Sequence, residues 1–150
     1  MADNSKRELI ILQVVSEMEA ISSIKTVVRK LLGYSDLQNF ALTQLPVTAV
    51  VGRLPVPSEH ISSRRPARND VMISELIVDL FVYFQEVTNP DSVMSSLVDD
   101  LWVKLNIDQS KNKLVISTKL KMTENPEYWD PYVAFKISCI FNYVHTTGGI

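Results

Sequence analysis

"VMISELIVDLFVYFQEV", Val71 to Val87, is the stretch whose reading decides the fold. Its even positions, Leu76, Val78, Leu80, Val82 and Phe84, make one apolar row. Glu75 and Asp79 fall in the other row with Ile77, Phe81 and Tyr83. A period of two belongs to a strand, whose side chains alternate between faces. The Val, Ile, Phe and Tyr content agrees with that reading. The second row is only partly polar, so part of it is expected to be covered by a partner.

Upstream, "LPVTAVVGRL" from Leu45 to Leu54 reads as a short Val-rich strand bounded by prolines. "LPVPSEHISSRRPARND", Leu54 to Asp70, joins the two strands. It sets Arg64, Arg65 and Arg68 against Glu59 and is stiffened by prolines at 55, 57 and 66. Two readings stand. The arginines either keep a solvated loop soluble, or they dock on a partner that carries acidic groups. A nucleic-acid contact ranks third, because no aromatic residues interleave with the arginines for base stacking.

The first third reads as one long helix from Lys6 to Leu32. Ile11, Val14, Val15, Met18, Ile21, Ile24, Val28, Leu31 and Leu32 recur at three-and-four spacing. Asn4 or Ser5 would cap it, Glu8 would complete a capping box with Ser5, and Gly33 would end it. Downstream, "TNPDSVMSSLVDDLWVKLN" reads as a second helix, with Asn89 as N-cap and Pro90 in the first turn. Its apolar stripe is Val93, Met94, Leu97, Val98, Leu101, Trp102 and Leu105. "KLVISTKLKMT" alternates, with Leu114, Ile116, Thr118, Leu120 and Met122 on one face. "ENPEYWDP" reads as a loop and "YVAFKISCIFNYV" as the last strand.

The order is α-β-β-α-β-β. Short links between consecutive strands favour antiparallel pairing. The expected fold is α+β, a four-stranded antiparallel sheet with two helices packed on one face. One domain spans 1–150, with a long loop at 55–70 and a C-terminal tail at 145–150.

Composition narrows the function. A net charge of -2 argues against a general nucleic-acid binder. A single cysteine, Cys139, fits a reducing compartment. The N-terminus "MADNSKRELIILQVV" does not read as a signal peptide, and no run of about 18 apolar residues predicts a membrane span. No metal site or cofactor is expected, because His60 and His145 have no ligand-like neighbours at a useful spacing. The four glycines form no phosphate loop. Cys139 lies in an apolar row, as a structural thiol would. Asp99, Asp100, Glu124, Glu127 and Asp130 read as solvated charges. Tyr128, Trp129 and Tyr132 form an aromatic cluster that serves either as a binding hot spot or as a lid on the core.

The succession of the long N-terminal helix, "LPVTAVVG", an extended loop, "SELIVDLFVYFQ", "NPDSVMSSLVDDLWVKL" and "PYVAFKISCIFNYVHTT" resembles the tail terminator and minor tail protein family of long-tailed bacteriophages. The likeness is one of layout and covers nearly the whole chain. It implies no enzymatic activity. It implies a virion protein, assembled in the host cytoplasm, whose six copies close a ring at the head-proximal end of the tail tube. That ring stops tube growth and offers a surface to the neck or head-completion protein. A ring needs two different patches per subunit. Ile77, Phe81 and Tyr83 offer one, and Tyr128 with Trp129 the other. Arg53, Arg64, Arg65 and Arg68 are expected to contact neighbouring subunits or the tube protein, with non-specific contact to DNA in the channel as a further role. A head–tail joining protein shares these features. From other classes, a ferredoxin-like cytoplasmic binding module or a small Asp/Glu hydrolase remain alternatives.

Overall fold

The computed structural model describes residues 6–53, 59–60, 71–86, 88–107, 111, 114–122, 127–129 and 131–146. The strand read from Val71 is the centre of the molecule. β4 (Val71–Gln85) pairs antiparallel with β7 (Tyr132–Thr146) through every one of its 15 residues. β2 (Val47–Gly52) and the two-residue β3 (Glu59–His60) share the free edge of β4. β5 (Ser117–Met122) and β6 (Glu127–Trp129) share the free edge of β7. The sheet order is β1-β2-β4-β7-β5, where β1 (Thr26–Val28) lies parallel to β2.

The α+β class agrees with the sequence reading, while the strand count, the pairing of β1 and the first helix correct it. Among the described residues the sheet has seven strands, and its β1–β2 pair is parallel. The long first helix is really α1 (Lys6–Glu19), a turn, and β1. Around residues 20–28 the sequence "AISSIKTVV" combines two serines with β-branched residues, all poorer helix formers than Ala or Leu. Thr26 to Val28 gain more by pairing with Val47 to Ala49. Ile21 and Ile24 are still buried, so the helical spacing survives without the helix. Arg29 folds back onto α1, with Nη1 at 2.6 Å and Nη2 at 3.1 Å from the Glu8 carboxylate. That hydrogen-bonded pairing holds the Glu8 carboxyl below its usual range.

"EYW" is a strand of a tight hairpin rather than loop, since Trp129 pairs with Tyr132. Val115 is buried while Ile116 is 57% exposed. Alternation does not hold there because β5 begins only at Ser117. His145, placed in the tail by sequence, belongs to β7. Asn4, Ser5, Glu124, Asp130, Arg64, Arg65, Arg68 and nearly all of the basic loop lie outside the described residues.

Both long helices lie on one face, as expected. Ile10, Val14 and Met18 of α1 and Leu97, Leu101 and Leu105 of α3 (Pro90–Ile107) pack on Leu76 to Phe84 of β4 and Val133 to Tyr143 of β7. Each side chain fully buried there contributes roughly 1.5–3 kcal/mol. α1 passes close over the end of β2: a Cβ at Gly52 would stand 2.8 Å from Ile11 Cδ1. The opposite face has a second, smaller core. Leu32, Leu37 of α2 (Tyr34–Leu37) and Leu45 cover Val47, Ala49, Tyr83, Tyr132 and Ala134. Among the described residues no helix is long and apolar enough to cross a membrane.

An ion pair sits inside the helical layer. Lys111 is fully buried, and its Nζ donates to Glu17 Oε1 at 3.0 Å and to the Leu105 carbonyl at 2.6 Å. It binds the end of α3 to α1. Removing one member of a buried pair strands the other charge, whereas replacing both with apolar side chains does not. Lys111→Met is therefore expected to cost about 3 kcal/mol in urea denaturation. Glu17→Leu combined with Lys111→Met should recover at least half of that loss; a double variant as unstable as the single would contradict the account.

Candidate interaction surface

Among the described residues, the cover on the second face of the sheet is concentrated at one end. Beyond Tyr83 the odd residues of β4 and the even residues of β7 share this face; Phe81 still packs against the rim of the smaller core, and Arg53 lies on Asp79. Their rows are fixed by register: Glu75 opposite Asn142, Ile77 opposite Ile140, Asp79 opposite Ser138, Phe81 opposite Lys136. β2 adds Val51, opposite Asp79. β5 adds Lys119 opposite Ile140 and Lys121 opposite Ser138. Val51, Ile77, Phe81 and Ile140 are half-buried, while Glu75, Lys119 and Lys121 are exposed. The surface is a shallow apolar strip with three lysines along one side. Lys136 Nζ lies 5.9 Å from the centre of the Phe81 ring, within cation–π range.

Asp79 anchors this face. It is only 7% exposed, although it stands in the outward row. Arg53 Nε donates to Oδ2 at 2.9 Å and Nη2 to Oδ1 at 3.2 Å, and Ser138 Oγ donates to Oδ1 at 2.7 Å. The carboxylate thus has three donors, which is what a charge placed on a sheet needs. Arg53 N also donates to the Ile77 carbonyl at 2.9 Å, extending the β2–β4 ladder by one rung. The hydrogen bond to Asp79 raises the already high pKa of the Arg53 guanidinium.

The expected interface residues therefore divide. Ile77, Phe81 and Arg53 share the open face. Tyr83 does not: it is 2% exposed, under the segment that carries α2. Burial raises its phenol pKa, and a backbone hydrogen bond with Leu32 acts in the opposite direction. Trp129 is half-buried, its ring centre 6.1 Å from that of Tyr83, so it serves the smaller core as a lid. Tyr132, also buried, donates to the Leu37 carbonyl at 3.4 Å. Tyr128, its neighbour, is 57% exposed, and its hydroxyl lies 3.5 Å from Asp91. The hairpin alternation separates the aromatic pair, one inward and one outward.

Sequence reasoning missed Lys119, Lys121 and Lys136 as site residues. Their signal was present: all three occupy the polar rows of their strands. Only the pairing of β5 with β7 brings them together. Cys139 is fully buried against the helices, and burial pushes its thiol up to about 12. Asp99, Asp100 and Glu127 are exposed, as solvated charges should be. The chain matches no protein-family model, and no curated protein sequence matches it.

Asp79 and Arg53 should respond differently to truncation. Asp79→Ala strands the buried Ser138 hydroxyl and is expected to cost about 1–3 kcal/mol in chemical denaturation. Arg53→Ala should cost less, about 1 kcal/mol at most, because its side chain is 48% exposed and screened by water. For Cys139, a folded pKa above the ordinary value of 9.0 means that the folded state holds its proton longer than the unfolded chain. Stability from this thiol is complete below pH 9 and is lost as pH rises towards 12. Ellman's reagent at pH 8 should find the thiol silent in native protein and reactive in guanidinium; rapid native reaction would contradict its burial.

Proposed function

We propose that this protein is a structural virion subunit of a long-tailed bacteriophage, a tail terminator. Six copies close a ring on the head-proximal end of the tail tube, stop its polymerisation and present a docking surface to the neck protein. The observation that carries this reading is the pair of unlike surfaces on opposite sides of one sheet. The helices seal one side, and the outer side of α3 carries the exposed acids Asp99 and Asp100 beside exposed Val103 and Ile107. The other side leaves an apolar strip edged with lysines. A subunit with different patches on opposite sides is suited to head-to-tail association, which closes into a ring when the rotation between copies allows it.

The layout that resembles the tail terminator family supports the same reading. Arg53, held by Asp79, marks where the chain enters the basic segment that carries Arg64, Arg65 and Arg68. In this reading those arginines contact the tube protein or a neighbouring subunit, with non-specific contact to DNA in the channel. Exposed Tyr128 adds a second contact point. No chemistry is assigned to the protein.

The test is tail length in particles assembled without this protein, measured by electron microscopy. Overlong, irregular tubes are the expected outcome. Tails of normal length left unattached to heads would move the protein to head–tail joining. Normal, infectious particles would overturn both virion roles and favour a binding module that uses the open sheet face.

A further inference from the structure

The exposed side of α3 is the chemical counterpart of the open sheet face. Along this helix Asp99 and Asp100 are exposed, followed by Val103 at 63% and Ile107 at 72% exposure. Exposed apolar side chains of that size, in line with paired acids, form a mixed acidic and apolar ridge. Lys104, half-buried, is the cation within it. Beside the ridge a shallow depression is lined by Ile21, Ser22, Asp99, Asp100, Val103 and Ile107, among others. Ser23 Oγ donates to Asp100 Oδ2 at 2.8 Å, which ties the turn after α1 to the ridge.

We propose that the open sheet face of one copy docks on the α3 ridge of a second copy, with Lys119 and Lys121 meeting Asp99 and Asp100. The apolar strip of Ile77, Phe81 and Ile140 then covers Val103 and Ile107. This inference rests on the ring reading above and gives it a contact. Charge complementarity selects the occupant. Two sheet faces packed together would set Lys119, Lys121 and Lys136 against themselves. Two α3 ridges would do the same to Asp99 and Asp100. The crossed arrangement sets the lysine-rich side of the sheet face against the acidic pair and covers both apolar strips, whereas like-charge contacts are strongly disfavoured at an interface. The two patches lie on opposite layers of the subunit, so the contact is heterologous and continues from copy to copy.

Two charge-reversed variants test it: Lys119→Glu with Lys121→Glu, and Asp99→Lys with Asp100→Lys. All four side chains are exposed, and circular dichroism melts are expected to stay close to wild type, with a small loss for the Asp100→Lys variant, which gives up the exposed Ser23 hydrogen bond. In sedimentation velocity each variant alone should associate at least about tenfold more weakly than wild type. Wild-type association should weaken with added salt. An equimolar mixture of the two variants should restore the ring, because each reversed patch now faces its opposite in alternate copies. Rings from either variant alone as readily as from wild type, or a mixture that fails to assemble, would overturn this docking and leave the ring reading standing. Wild-type protein that stays monomeric both alone and on tail tubes would remove the ring reading and this contact together.

Discussion

Everything in this structure hangs on the continuous ladder between β4 and β7. Fifteen residues of each strand pair without a break, so one register sets which side chains face the helices and which face outward. A slip of one residue would send Leu76, Val78, Leu80, Val82 and Phe84 to the open side and bring Asp79 into the main core. The burial of ten or more apolar side chains on the two strands forbids that. α1 and α3 then have only one place to lie, and the shorter strands add to edges whose register is already fixed.

That ladder was legible because each strand keeps one unbroken apolar row over a long run, Leu76 to Phe84 in β4 and Val133 to Tyr143 in β7. α3 was legible because its stripe, Pro90 and the preceding Asn89 all agree. Misreadings arose where two patterns overlapped. Ile21, Ile24 and Val28 satisfy helical spacing, yet Thr26 to Val28 form a strand because a partner edge is available beside β2. Propensity within the segment hinted at this, but the edge itself is a long-range fact. The small core over Val47, Ala49 and Tyr83 was hidden for the same reason. Leu32, Leu37 and Leu45 show no period, and only the path of the chain carries them across the sheet.

The candidate surface was half legible. Ile77 and Phe81 stood out as apolar residues in a polar row, and they do face outward. Tyr83 obeys the same alternation but lies two residues nearer the covered end, so parity alone could not separate it from them. The lysines were overlooked because each is unremarkable in its own strand. Asp79 was read as a plain outward charge. Its place between Arg53 and Ser138 makes it instead the polar centre about which the open face is organised.

The length of the central pair has a mechanical consequence. At about 3.3 Å per residue the β4–β7 pair runs roughly 50 Å, while the 18 residues of α3 cover only about 27 Å at 1.5 Å each. The subunit is therefore a beam, and its strength depends on direction. Tension that draws β4 one way along its axis and β7 the other puts all the rungs in shear together. A pull that parts Val71 from Thr146, which sit side by side at one end, opens the rungs one after another, as a zipper does. Forces that run along the strands meet the stiff axis of the molecule, and forces that pry at that end meet the compliant one.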